Sequence, residues 1–233
     1  MKYLLFFSVI FLYSCQKKEC QEPLIKSNGN ISSVSITKPQ LEPGLIQLKL
    51  QDPLKISDTY LSRYYSTSNY GTIPKIFCWA WTISGSNANG LFLLKFNYDG
   101  IPKGRQIESA HLTLYADTTN VFVGSPPPLI GHYGVNLDWS IKRIETDWDE
   151  LLVQYNTRPI ATDYHKVSLS SPTSSTSSYY NIDVTDLVKD QLQTNNFGFE
   201  VTFDNYTLYK RLAFYSSNSP NVNYIPKLDI VYK

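Results

Sequence analysis

The stretch Ile107-Glu108-Ser109-Ala110-His111-Leu112-Thr113-Leu114-Tyr115 decides the fold class. Ala110, Leu112 and Leu114 alternate with His111, Thr113 and Tyr115, and a period of two sends successive side chains to opposite faces of an extended strand. An amphipathic helix would instead repeat its apolar residues at spacings of three and four. One apolar and one wettable face describe a strand that covers a core on one side only, the habit of antiparallel sheets.

The same alternation recurs along the chain. Ile46, Leu48 and Leu50 are separated by Gln47 and Lys49, and Phe92, Leu94 and Phe96 face away from Leu93 and Lys95. Phe197, Phe199, Val201 and Phe203 continue the pattern, as do Leu212 with Phe214 and Leu228, Ile230 with Tyr232. Between these runs lie turn-forming clusters such as Asp99-Gly100, Gly124-Ser125-Pro126-Pro127-Pro128 and the segment from Ser216 to Asn221. Many short strands punctuated in this way predict an all-β antiparallel sandwich of jelly-roll type. One short helix is expected, capped by Thr185 and running from Asp186 to Leu192, with Leu187, Val188 and Leu192 as its apolar stripe. Ser168 to Ser178 reads as an exposed loop. Phe197 to Phe203 and Leu208 to Tyr215 are expected to form a hairpin about Asp204 to Thr207, which would set Glu200 opposite Arg211.

With 233 residues, one domain is the default for an all-β chain. Hydrophobic residues at 42% and 18 Tyr supply a core, and a formal net charge of +1 gives no overall field to draw in nucleic acid. The N-terminus begins Met1-Lys2 and continues with an apolar run to Tyr13. That run falls well short of the roughly 20 residues that span a bilayer, so it reads as a secretory signal. Leu12-Tyr13-Ser14-Cys15 resembles a bacterial lipobox, which predicts cleavage before Cys15 and its lipidation. Residues 1–14 are thus expected to be a signal peptide, 15–44 a lipidated tether and 45–233 the sandwich. Contact with the membrane is expected through the lipid alone. Cys15-Gln16-Lys17-Lys18-Glu19 faintly resembles export signals of surface lipoproteins in Bacteroidetes-type bacteria, and an outer-membrane, surface-exposed location is expected. Cys20 and Cys78 could pair in an oxidising compartment, but Cys78 in its strand reads better as a buried thiol.

Several motifs, in order, resemble the DNRLRE domain, a family of secreted β-sandwich modules. They are Asp58-Thr59-Tyr60-Leu61, Asn69-Tyr70-Gly71, Leu93-Leu94-Lys95-Phe96, Ile101-Pro102 and the stretch from Ile107 to Tyr115. Further on come Trp148 with Glu150, Tyr155-Asn156 before Pro159, Asp183-Val184-Thr185, Asn196-Phe197-Gly198-Phe199, Phe214 with Ser216, and Pro226-Lys227-Leu228. Tyr155 stands where the family usually has Trp, and Lys95 where Arg is frequent; Gly124 to Gly134 has no counterpart. The resemblance implies a non-catalytic carbohydrate-binding module with an acidic polysaccharide as the implied ligand, which the lipobox-like run would place on a surface lipoprotein. It also implies that Trp148 and Glu150 form a structural corner.

The residues themselves offer little chemistry of bond breaking. His111, His132 and His165 show no metal-ligand spacing, and no Gly-x-Ser-x-Gly turn is present. Asp147, Asp149 and Glu150 supply the carboxylates a glycosidase would need, but acids in a surface turn are the commoner reading. No cofactor is expected; loop Asp and Asn oxygens could hold a structural calcium, though no spacing resembles a calcium loop. For binding, the candidates are Arg63, Tyr70, Lys75, Trp79, Trp81, Lys95 and Arg158, since aromatic faces stack on sugar rings and cations hold uronate carboxylates. Against this, Phe77, Trp79, Trp81 and Ile83 share one face of a strand, and a row of large apolar residues is more often core. Exposure of that row would favour glycan binding, and its burial a structural or adhesive module that docks another protein.

Overall fold

The computed structural model describes residues 43–119 and 130–233, so Cys15, Cys20 and most of the 124–134 insertion lie outside the described residues. Within them the chain forms β1 (Ile46–Leu50), β2 (Ile56–Ser62), β3 (Lys75–Ile83), β4 (Ser86–Phe96), β5 (Ile107–Leu114) and β6 (Trp139–Ile144). There follow β7 (Ala161–Leu169), β8 (Tyr179–Asp183), α1 (Thr185–Gln193), β9 (Phe199–Phe203), β10 (Lys210–Tyr215) and β11 (Lys227–Tyr232). A smaller sheet runs β1-β11-β5-β8; a larger one runs β10-β3-β4-β9-β6-β7, with β2 also paired to β4. Neighbouring strands pair antiparallel in both sheets, the all-β sandwich that the alternation predicts.

Both sheets contribute to one core. Ala110, Leu112 and Leu114 of β5 and Leu228 and Ile230 of β11 meet Phe92, Leu94 and Phe96 of β4, Val201 of β9 and Phe214 of β10. Burying each Phe side chain is worth about 1.5–3 kcal/mol, so this layer supplies much of the drive to fold. A second apolar group of Leu61, Leu91, Leu93, Ile144, Trp148 and Val153 gathers where residues 145–153 cover part of the larger sheet. Cys78 is a buried free thiol, as its strand position predicts.

Two local expectations are corrected. β9 and β10 do not form a hairpin: β9 is already paired on both sides, by β4 and β6, and so offers β10 no free edge. β10 crosses to β3 instead. Glu200 therefore lies opposite Leu93 and Lys142, while Arg211 lies opposite Trp79, and the expected ion pair does not exist. The helix begins at Thr185 itself, whose N–H is accepted by Asp183 at 3.0 Å, leaving the Thr185 hydroxyl oxygen to accept the Ala110 N–H. Gln191 is buried in it, where it accepts from the Tyr98 hydroxyl, and Leu192 is exposed.

The motif residues far apart in sequence close one corner. The Asp58 N–H donates to Glu150 Oε1 (2.8 Å), and the Asn69 amide donates to the carbonyls of Glu150 and Val153. A Cβ at Gly71 would lie 2.2 Å from the Glu150 carbonyl oxygen, so only glycine allows this approach. Asp58 itself is buried and accepts the Ser217 N–H at 2.6 Å, and burial raises its carboxyl to about 7. His132 is also buried, accepting from the Ala213 N–H and donating to the Ser177 carbonyl; burial lowers it to about 4.

These two groups act on stability with opposite sign. His132 binds its proton only below about 4 in the folded chain but near 6.5 when unfolded, so its contribution is complete above 6.5 and lost as pH falls towards 4. Asp58 keeps its proton to about 7 when folded against 3.8 unfolded, so its contribution is complete below 3.8 and lost as pH rises towards 7. Between pH 4 and 6.5 the two slopes, each about 1.4 kcal/mol per pH unit, offset each other. Asp58→Asn should therefore make stability rise with pH across this window, and His132→Gln should make it fall. Urea unfolding at intervals across the window measures both; profiles parallel to the wild type would contradict the assignment.

Candidate functional site

β3 sorts its side chains by size in an unexpected direction. Ile76, Cys78 and Ala80 are buried in the core, at 0%, 0% and 1% exposure, while Phe77, Trp79 and Trp81 are only half-buried on the opposite side of the strand. The reading of Phe77, Trp79, Trp81 and Ile83 as a core row is thus overturned. The core at this point is already filled by Phe92 and Phe214, which leaves room for small residues.

The exposed row is built by the strands on either side of β3. Trp79 lies opposite Gly90, and Trp81 opposite Ala88, in the β3–β4 register. A Cβ at Gly90 would sit 2.3 Å from Trp79 Nε1, so the indole rests directly on the glycine backbone. On the other side, Arg211 lies opposite Trp79, and an isolated bridge sets Tyr133 against Arg211. Trp81 then meets the rings of Tyr209 at 5.2 Å, nearly perpendicular, and of Tyr133 at 5.7 Å. Towards the other end Phe77 makes an edge contact with Tyr60 at 5.4 Å, and Tyr60 stacks on Tyr70 at 4.1 Å. The Arg211 guanidinium lies 5.8 Å from the Phe77 ring centre and donates to the Gly131 carbonyl at 2.8 Å. From Phe77 to Trp81 the strand alone spans about 13 Å. Tyr133 and Tyr209 remain 42% and 52% exposed, so the row presents ring surface to solvent.

Its outer rings are held by the backbone and by one buried cation. Tyr209 has φ of 65°, a strained value for a bulky residue, and a Cβ at Gly134 would strike the Tyr209 carbonyl oxygen at 2.7 Å. Lys210, buried between them, donates to the Asn136 carbonyl at 3.2 Å and to Asn205 Oδ1 at 2.7 Å, and covers the Phe203 ring. It thereby joins the segments that carry Tyr133 and Tyr209.

The residues anticipated from sequence fall into two groups. Tyr70, Trp79 and Trp81 belong to the row, with Arg63 and Lys75 at its margins. Arg63 is exposed just beyond β2, its N–H on the Asn89 carbonyl, and its side chain has no ion pair among the described residues. Lys75 is committed to buried Asp117, 3.4 Å away, and to the Thr119 hydroxyl. Lys95 and Arg158 are gathered instead near the corner. Lys95 donates to the Trp148 carbonyl, lies over its ring and pairs with Asp147 at 3.5 Å; Arg158 covers the Tyr155 ring and donates to its carbonyl. Trp148 donates its indole N–H to the Phe197 carbonyl, so it and Glu150 are structural. Sequence reasoning missed Tyr60, Tyr133, Tyr209 and Lys210 and assigned Arg211 to an ion pair with Glu200; the signal available for Tyr133 was the neighbouring Gly134. Among the described residues no three His, Cys, Asp or Glu side chains gather as a metal site.

A sandwich that displays a row of rings along one strand offers a surface on which a flat ligand could stack. The family model for carbohydrate-binding module family 96 matches residues 54–232, and the chain belongs to that family. A search of curated proteins found no match.

Gly90→Ala tests the packing under the row. The added methyl group must displace Trp79 or the Leu61 carbonyl, and such overpacking costs about 1–3 kcal/mol. Urea unfolding should show that loss together with altered Trp fluorescence; an unchanged midpoint would mean that the indole does not lie on Gly90.

Proposed function

We propose that the chain is a cell-surface lipoprotein whose sandwich holds an acidic polysaccharide on the aromatic row centred on Trp79 and Trp81. The observation that carries this reading is the row itself. Two of the four Trp are half-exposed on one strand, and Trp81 meets the rings of Tyr133 and Tyr209, so ring faces line a path that a polymer of flat sugar rings can follow. Family membership supports sugar as the ligand.

The acidic preference rests on Arg63, whose unpaired guanidinium at the margin of the row can take a uronate carboxylate by its fork. One exposed ion pair is worth only about 0.2–1 kcal/mol, so stacking supplies most of the affinity and charge the discrimination. The module binds without cutting and needs no cofactor. Lipid on Cys15, supported by the Leu12 to Cys15 motif, would tether it to the outer membrane and display many copies along one polysaccharide chain.

Affinity electrophoresis of the protein in gels containing a polyuronate or a neutral glucan tests the reading. Stronger, salt-sensitive retardation by the polyuronate is expected. Trp81→Ala should abolish retardation by the neutral glucan and weaken that by the polyuronate, and Arg63→Ala should reduce the acidic preference without abolishing retardation. No retardation by either glycan would return the chain to the structural reading. Mass spectrometry of the mature N-terminus tests the anchor, for which diacylated Cys15 is expected.

A further inference from the structure

A second cleft lies away from the aromatic row, between the β4–β5 connection and the C-terminal end of α1. It has a volume of about 670 Å³, within the range of small-ligand sites. Lys103, Arg105 and Lys189 line it, Gln193 and Thr194 add polar groups, and Leu192, 38% exposed, gives an apolar wall. Among the described residues no Asp or Glu side chain contributes to that lining. Lys103 and Arg105 are exposed and make no ion pair among the described residues, while Lys189 pairs with exposed Asp186 at 3.3 Å and acts at longer range on Asp183. Gly104, with φ of 80°, lets the loop turn tightly between the first two cations. The N–H and the hydroxyl of Thr194 both donate to the Asp190 carbonyl, and three cations set against the partial negative charge of the α1 C-terminus leave the cleft net positive.

The geometry points to this cleft as a second glycan subsite, which takes an anionic sugar unit, its carboxylate or sulfate held by Lys103, Arg105 and Lys189 and its ring edge set against Leu192. The inference rests on the reading of the chain as a glycan-binding module, but not on the row. β4 separates the two places: Ala88 lies opposite Trp81, and Phe96 ends the strand ahead of the cleft, about 26 Å further on. A polymer long enough to reach both would bind the second site at the effective concentration set by its first attachment. A short oligosaccharide would occupy each site separately. The row then contributes ring stacking with Arg63 at its margin, and the cleft adds to the selection for charge.

Backbone amide NMR on the protein, titrated with an oligoglucuronate, a sulfated oligosaccharide and a neutral oligoglucose of equal length, tests this directly. Amides of residues 103–106 and 192–194 should shift with either anionic oligosaccharide and not with the neutral one, in the wild type and in Trp81→Ala alike. Shifts in Trp81→Ala keep the cleft standing even if the row proves inert. Lys103→Gln with Arg105→Gln should abolish the shifts there and weaken retention by the anionic polymer roughly fivefold, as expected for the loss of two exposed pairs. Unshifted amides at 103–106 and 192–194 would overturn the proposal, as would shifts produced equally by neutral sugar, or by anionic phospholipid vesicles when both anionic sugars give none.

Discussion

The structure depends on how β3 divides its side chains while paired along both edges. Ile76, Cys78 and Ala80 go inward, where Phe92 and Phe214 of the neighbouring strands β4 and β10 already fill the core beside them; Phe77, Trp79 and Trp81 go outward. A slip of one residue would exchange the two sets, put indoles into a filled core and expose Cys78. The register is fixed twice over, by β4 from Trp79 to Ile83 and by β10 from Lys75 to Ala80. Display of the rings is thus a consequence of core packing, and it needs no flexible loop to present them.

Around that strand, buried polar groups substitute for the regularity that the connections lack. Lys210 fastens the segment after Tyr133 to the one before Tyr209, and Arg211 fastens Gly131 to β10. At the other corner, Asp58, Asn69, Glu150 and Ser217 join four separate stretches. Leaving any of these groups without its partner would cost about 1–3 kcal/mol, so each acts as a specification of geometry as well as a source of stability.

Much of the fold was legible because a half-covered strand writes its two faces into the sequence. β5 and β11 were read this way, with Leu112 and Ile230 correctly inside. β3 defeated the same reading because both its faces are apolar, and size pointed the wrong way: the larger set is the one left in solvent. The β9–β10 hairpin failed because pairing of consecutive strands is only a tendency, and nothing local in Phe199 to Phe203 reveals that both edges are taken by β4 and β6. Of the candidate site, Tyr70, Trp79 and Trp81 were legible by type. The cations were less so, since alternation correctly turns Lys95 away from the core but cannot tell solvent from the Trp148 ring that covers it. Tyr133 and Tyr209 come from irregular segments that only tertiary pairing brings to Trp81.

The central claim is that the outward face of β3 is the sugar platform. The four indole N–H groups report on it directly, because Trp139 and Trp148 are buried at 0% and 7% exposure while Trp79 and Trp81 are half-exposed. In an indole NMR spectrum recorded during titration with a polyuronate oligosaccharide, the signals of Trp79 and Trp81 should shift together with saturation, and those of Trp139 and Trp148 should stay in place. Saturable binding that left the Trp79 and Trp81 signals unmoved would contradict the account and locate the platform elsewhere on the sandwich.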